Sequence, residues 1–202
     1  LALGSQTQGS IVRPAAFCGV VGFKASFGAV PREGAHPLSG SCDHIGFFTR
    51  SVDDAAYALQ LLKNTNLSED ESIILPDLDI GPTSKLKPFV QPRIAVIQTP
   101  FDHLVSLEQS AVLKAASEQL QAAGAKIENI SLPQRYWDAI DAMNLIIESE
   151  AASIHQEHVK NHNHLLSAHI QELAQRGSLH SAVAYLNAKT IQKSLRKSIG
   201  EY

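Results

Sequence analysis

The sequence predicts an α/β fold, on the basis of three observations. Short apolar runs typical of strands occur near the start of the chain and again in its middle. Stretches with apolar residues about 3.6 positions apart, as in amphipathic helices, lie between and after these runs. Hydrophobic residues make up 44% of the 202 residues, which is enough for a substantial core and argues against disorder.

The first fifty residues are rich in glycine, proline and short apolar runs. We expect a strand or turn and strand over residues 18–24, a turn into extended chain over residues 27–31, and a strand over residues 44–49. Pro14 is expected to prevent a long helix before them. Ser51 precedes a helical pattern with Asp54 at its third position, which predicts a capped helix to about residue 63.

The middle of the chain predicts a parallel crossover. A strand over residues 93–97 is followed by a helix over residues 107–123, and Gly124 stands where helices commonly end. A second strand over residues 125–130 completes the unit, and such strand–helix–strand units are right-handed. The polar, proline-containing residues 64–92 are predicted to form a surface loop or a connection between lobes.

From residue 136 the chain is predicted to be helical almost to its end. The segments with helical spacing are residues 138–159, 165–175 and 181–198, with Gly177 separating the last two. His158 and His162 are spaced as i and i+4, which suits zinc when a third ligand is present, but no His-Glu-x-x-His motif occurs. We therefore expect these two histidines and His155 to lie on a solvated helix face, with no metal site.

Bulk properties exclude several classes of protein. A net charge of −3 without a block of like charges argues against a nucleic-acid surface. No apolar run approaches the roughly 20 residues that span a bilayer, and no signal peptide is visible, so we predict a cytoplasmic protein without a membrane span. Cys18 and Cys42, the only cysteines, are predicted to be small buried hydrophobes rather than a bridge or a nucleophile.

The most informative stretch is GSQTQGSIVRPA, residues 4–15. It places Ser10 directly after Gly9, at the end of a run of small and polar residues. A serine on a glycine-assisted turn can present its hydroxyl outward, with neighbouring backbone N–H groups facing the same volume. A serine nucleophile in acyl transfer needs that arrangement. The alternative is a turn serine that caps a local N–H group.

From residue 4 the chain reads GSQTQGSIVRPAAFCGVVGFKASFGAVPREG and later SGSCDHIGFFTRSVDDAA. These segments resemble the amidase signature family of serine hydrolases, because glycines, prolines and charges all fall in register. The resemblance is dense over residues 1–58 and weaker beyond. It implies the family's large mixed β-sheet covered by α-helices. We expect residues 1–202 to be an incomplete amidase signature domain, an internal piece of a longer protein.

The resemblance also implies a chemistry. Ser10 would attack an amide carbonyl and form an acyl-enzyme, with the oxyanion held by the backbone N–H groups of Thr7, Gln8, Gly9 and Ser10. The family's second serine and its lysine would lie upstream of this sequence, and Lys24 would be scaffold. The expected partner is a small-molecule amide substrate, without a metal or organic cofactor. A homodimer and a missing segment of the same protein are both open as further partners.

Several residues depart from the family pattern. Gln6 stands where many members have aspartate, and Gln8 replaces a glycine or alanine, where it could crowd the acyl pocket or require a positive φ. Arg13 lies one position later than in many members, where it would orient the nucleophile loop or meet a substrate carboxylate. The remaining charged and polar signature positions are predicted to hold turns and ion pairs: Ser41, Asp43, Arg50 and Asp54.

The resemblance leaves three functions open. The first is an amidase that hydrolyses a linear carboxamide. The second is the glutaminase subunit of a tRNA-dependent amidotransferase, which shares the signature. The third is a non-catalytic homologue that serves as a binding protein, which Gln8 favours. Residues 137–150 are expected to influence the choice of substrate.

Overall fold

The computed structural model describes residues 1–63 and 91–201. The chain divides into two compact units, which are described separately. The first comprises Leu1–Leu86 and Ala142–Ser194, and the second comprises Lys87–Asp141 and Leu195–Tyr202. The loop predicted over residues 64–92 falls outside the described residues, apart from its last two positions.

The first unit contains a three-stranded antiparallel sheet. Its strands are β1 (Ala2–Gln6), β2 (Val21–Lys24) and β3 (His44–Thr49), and β3 lies in the centre. Phe47 of β3 is fully buried and stacks on Phe23 of β2, with ring centroids 5.2 Å apart. The strand predicted over residues 44–49 is therefore confirmed.

Helix α1 (Val12–Cys18) replaces the start of the strand predicted over residues 18–24, which is right only for residues 21–24. Pro14 lies within α1, because a proline in the first helical turn removes an N–H group that has no intrahelical partner. Gly19 ends the helix with φ 62°, in the left-handed region. The extended piece predicted over residues 27–31 is also wrong, since no strand forms there, although Ala29 and Val30 are buried.

Helix α2 (Val52–Leu62) begins where the sequence predicts. The hydroxyl of Ser51 accepts a hydrogen bond of 3.1 Å from the backbone N–H of Asp54, which satisfies one of the unpaired donors of the first turn. Ala55 and Ala58 face the sheet and form a buried cluster with Phe47.

Three helices follow, α4 (Gln134–His162), α5 (Ala168–Ser178) and α6 (Ala182–Ser198), as predicted in number and approximate position. Gly177 does not separate the last two, because it lies inside α5. A Cβ at this position would meet the backbone oxygen of Glu148 at 1.9 Å, so the glycine allows close packing of the two segments. Cys42 is buried with Ile146 as predicted, whereas Cys18 is exposed, contrary to prediction.

The second unit contains a parallel pair of strands, β4 (Arg93–Gln98) and β5 (Lys126–Ser131), in which Arg93 is opposite Lys126. Helix α3 (Leu107–Ala122) connects them, and Gly124 follows it with φ 100°. The predicted strand, helix and parallel strand are confirmed, and the molecule is of the α/β class. Within the described ranges, no helix has the length and apolar composition needed to cross a membrane.

Candidate active site

The turn between β1 and α1 is held by the side chain of Gln6. This side chain is buried, and its Oε1 accepts hydrogen bonds from the backbone N–H groups of Ile11 at 2.8 Å and Val12 at 3.1 Å. The two donors belong to the start of α1, where backbone N–H groups have no partner within the helix. Gln6 therefore fixes the direction in which the chain leaves β1.

Ser10 is exposed at this turn and lines two neighbouring cavities, of about 530 Å³ and about 650 Å³. Its hydroxyl forms no hydrogen bond with any described residue. The backbone N–H groups of Gln8, Gly9 and Ser10 likewise donate to no described acceptor. Thr7 also lines both cavities, and Gln8 and Gly9 line the larger one. The structure thus brings the four sequence-predicted residues together at one wall.

Gln8 adopts an ordinary backbone conformation. Among the described residues, only Gln91 is a non-glycine residue with positive φ, so the strain expected from the missing glycine does not arise. The side-chain amide of Gln8 donates a hydrogen bond of 3.2 Å to Oδ1 of Asn144 on α4. Gln8 nevertheless lines the larger cavity, so it narrows the space beside Ser10.

Thr7 and Asp43 join the turn to the loop before β3. The Thr7 hydroxyl donates to Oδ1 of Asp43 at 2.6 Å, and Oδ2 of Asp43 accepts from the backbone N–H groups of Leu38 at 2.8 Å and Ser39 at 2.9 Å. Asp43 therefore has the turn-holding function expected of it.

The larger cavity contains charged side chains of both signs. Oε1 of Glu148 accepts from Arg176 Nε at 2.8 Å, and Oε2 lies 2.8 Å from Nε2 of His180. Burial raises the pKa of Glu148, but hydrogen bonds and charges from His180 and Arg176 outweigh it, so the pKa is lowered overall. The Arg13 side chain also lines this cavity and pairs with none of the described residues.

Part of the stretch expected to influence substrate choice lies at this site. Asn144, Ile147 and Glu148 line the larger cavity. Trp137 belongs to the second unit, where its indole N–H donates to the carbonyl oxygen of Leu132 and its ring meets the edge of Phe101. The expectation is thus supported for residues 144–148 and has no support at Trp137.

The histidines are not all solvated. His155 is only 7% exposed, so its placement on a solvated helix face was wrong. Its ring lies 5.4 Å from that of His36 and 5.9 Å from that of His158, measured between centroids. Burial lowers the pKa of His155, and the charges of His36 and His158 lower it further. Over residues 1–63 and 91–201, no three side chains of ligating type have the geometry of a metal site.

A buried polar network centred on Glu150 is absent from the sequence predictions. Its carboxylate accepts hydrogen bonds from Ser39, Ser41 and Tyr185, and Ser41 in turn accepts one from Lys189. Ser39 and Glu150 are 111 positions apart, so no local pattern in the sequence could reveal their contact.

Comparison with known proteins gives a consistent assignment. The family profile named Amidase matches residues 1–200. The A subunit of the glutamyl-tRNA(Gln) amidotransferase from Synechococcus sp. strain RCC307 is 36% identical over 153 residues, which cover 76% of this chain and 31% of that protein. A crystal structure of an amidase is 32% identical with TM-score 0.77, covering 98% of this chain and 41% of that chain. The peptide amidase of Stenotrophomonas maltophilia is 27% identical with TM-score 0.73, covering 96% of this chain and 44% of that chain.

Proposed function

Because the chain belongs to the amidase family, we propose that the native protein containing it cleaves a carboxamide with Ser10 as nucleophile. The chain spans only 31% of the length of the Synechococcus relative, so this activity is proposed for the whole protein. One observation supports it most: exposed Ser10 borders two cavities beside backbone N–H groups that donate to no described acceptor.

The proposed reaction has two stages. Ser10 Oγ forms a bond to the amide carbonyl carbon, and the oxygen that becomes negative is held by the N–H groups of Thr7, Gln8, Gly9 and Ser10. The C–N bond then breaks, and the proton from Ser10 leaves on the amine or ammonia. Water attacks the acyl-enzyme in the second stage, which releases the carboxylic acid and returns a proton to Ser10.

The base that receives the Ser10 proton must come from elsewhere. No described side chain forms a hydrogen bond with the Ser10 hydroxyl, and Lys24 donates instead to the carbonyl oxygen of Ala25 at 2.8 Å. We propose that a segment outside the described residues supplies the base. The serine and lysine that the family resemblance places upstream of Ser10 fit this role.

A second function has specific support. The Synechococcus relative is named as one subunit of a glutamyl-tRNA(Gln) amidotransferase, and such an enzyme requires ammonia from an amide donor. We therefore propose glutaminase activity within a multi-subunit complex as the alternative to an independent amidase. Both functions use the same acyl-enzyme chemistry at Ser10 and differ in substrate and partners. A cytoplasmic location stays a prediction for either.

The deciding experiment uses the complete native protein and its Ser10→Ala variant. Each is treated with a fluorophosphonate probe, and the intact mass is measured. One adduct on the native protein that is missing in Ser10→Ala supports a serine nucleophile. No adduct on a folded native protein supports the non-catalytic alternative.

Substrate choice is measured separately, as ammonia release from glutamine and from a panel of aliphatic and aromatic amides. Preference for glutamine, together with copurifying subunits, supports the amidotransferase function. Turnover of other amides by the isolated protein supports an independent amidase.

A further inference from the structure

Ser39 connects two carboxylates in the interior of the first unit. Its side chain is fully buried, and its hydroxyl donates to Oε2 of Glu150 at 2.6 Å. Its backbone N–H donates to Oδ2 of Asp43 at 2.9 Å. A buried hydroxyl and N–H that are both paired with carboxylates form strong, charge-assisted hydrogen bonds. Ser39 is therefore fixed between α4 and the start of β3.

Glu150 forms the rigid end of this connection. Besides the Ser39 hydroxyl, its carboxylate accepts from the backbone N–H of Ser41 at 2.9 Å, from the Ser41 hydroxyl, and from the Tyr185 hydroxyl at 2.7 Å. A carboxylate has about four acceptor sites, so these four donors saturate it. Burial raises the pKa of Glu150, but the hydrogen bonds from Ser39, Ser41 and Tyr185 lower it overall, so the ionised form is favoured.

A lysine supports the same cluster from α6. Nζ of Lys189 donates to the Ser41 hydroxyl oxygen at 2.6 Å and to Oε1 of Gln192 at 2.9 Å. Glu150 and Lys189 are thus linked through the Ser41 hydroxyl, which accepts from the ammonium group and donates to the carboxylate. The loop at residues 38–43 is consequently bound to both α4 and α6.

The other end of the connection reaches the candidate nucleophile. Asp43, fixed by Ser39, accepts the hydrogen bond of the Thr7 hydroxyl at 2.6 Å. The turn itself has little packing to hold it, because Gln8 and Ser10 are exposed and a Cβ on Gly9 would meet nothing within 4 Å. The Thr7–Asp43 hydrogen bond is therefore a main restraint on the residues between Thr7 and Ser10.

We propose that Glu150 and Ser39 are positioning residues for Ser10, and that they act through Asp43 and Thr7 to hold the backbone N–H groups of the turn in line. The inference rests on the proposed function, since it concerns the geometry of acyl transfer. A displacement of about 1 Å at reacting groups can cost roughly 100-fold in rate, so the restraint has kinetic consequences. Neither residue touches the substrate.

The test compares Ser39→Ala and Glu150→Gln with Ser149→Ala in the complete native protein. Ser149 is a matched control, because its hydroxyl also lies on α4 but donates only to the carbonyl oxygen of Leu145 in the same helix, at 2.7 Å. The rate constant of acylation by the fluorophosphonate is measured, with kcat and KM for the best amide substrate and the urea midpoint.

We expect acylation and kcat of Ser39→Ala and Glu150→Gln to fall about tenfold or more, with KM within about twofold, since the turn rather than the binding surface is disturbed. Ser149→Ala should acylate at the native rate. If Glu150→Gln does not fold, Ser39→Ala, which removes a single oxygen atom, carries the test. Native acylation rates in folded Ser39→Ala overturn the inference.

A double-mutant cycle separates positioning from general loss of stability. Thr7→Val alone should slow acylation, but in the Ser39→Ala background it should add little, because the connection is already broken. Fully additive losses in acylation rate would contradict transmission through Asp43. If the native protein itself is not acylated, the proposed function fails and the inference fails with it. Native acylation with unchanged variants refutes only the positioning role.

Discussion

The side-chain oxygen Oε1 of Gln6 lies 2.8 Å from the backbone nitrogen of Ile11 and accepts its hydrogen bond. The same oxygen accepts from Val12, so a single buried amide satisfies two donors at the start of α1. The acceptor, rather than a negative charge, is what the geometry requires at this position. This explains why glutamine can stand where many family members have aspartate.

Replacement of Gln6 by methionine should destabilise the protein, because two N–H groups lose their acceptor while the shape of the side chain is kept. The expected loss is about 2–3 kcal/mol in the free energy of unfolding. Gln6→Glu, which keeps an acceptor oxygen, is the control and should lose less. Urea denaturation measures both, and equal losses would show that the hydrogen bonds are unimportant.

The backbone of Gln8 makes a prediction of opposite sign to the one expected from the family pattern. Because its φ is not positive, glycine offers no relief of strain and adds freedom to the unfolded chain. Gln8→Gly should therefore be less stable than Gln8→Ala by about 0.4–1 kcal/mol. Thermal unfolding of the two variants decides, and a more stable glycine variant would mean that the turn needs a left-handed residue.

Gly177→Ala should destabilise the protein although alanine is the better helix former. A Cβ here would lie 1.9 Å from the backbone oxygen of Glu148 and 2.8 Å from the Cβ of Ala152, so α5 must move away from α4. Overpacking of this kind costs about 1–3 kcal/mol. Gly40→Ala is the matched control, because a Cβ there meets nothing within 4 Å. Urea midpoints of both variants check the prediction, which a stabilised Gly177→Ala would refute.

Tyr185 predicts how stability changes at alkaline pH. Burial, followed by the hydrogen bond to Glu150, raises the pKa of Tyr185 to about 12. An ordinary tyrosine in the unfolded chain ionises near pH 10, so between about pH 10 and 12 the native state holds a proton that the unfolded state has lost. Stability is therefore present below pH 10 and is lost as pH rises toward 12.

The Tyr185→Phe variant isolates this contribution. Its stability should lack the part of the alkaline decline that comes from Tyr185, so the difference in unfolding free energy between native protein and variant should shrink from about pH 10 to 12. Urea titrations at several pH values measure the difference. A difference that is constant across this range would show that the Tyr185 hydroxyl is not held in its neutral form by the fold.

Local sequence signals predicted the elements whose causes are local. Ser51 and Asp54 predicted the start of α2, and Gly124 predicted the end of α3. The alternation of strands and helices indicated the α/β class. Local reasoning failed at Pro14, which lies in the first turn of α1 rather than outside a helix, and at Gly177, which allows close packing rather than a break.

The sequence by itself determined the family, the α/β class and the choice of Ser10 as candidate nucleophile, because these follow from motifs that are contiguous in the chain. Only the tertiary structure decided what surrounds that serine. The Ser39–Glu150 hydrogen bond joins residues 111 positions apart, and the buried position of His155 depends on packing around α4. Contacts of this kind arise when distant segments share one interior, and no periodicity or spacing along the chain encodes them.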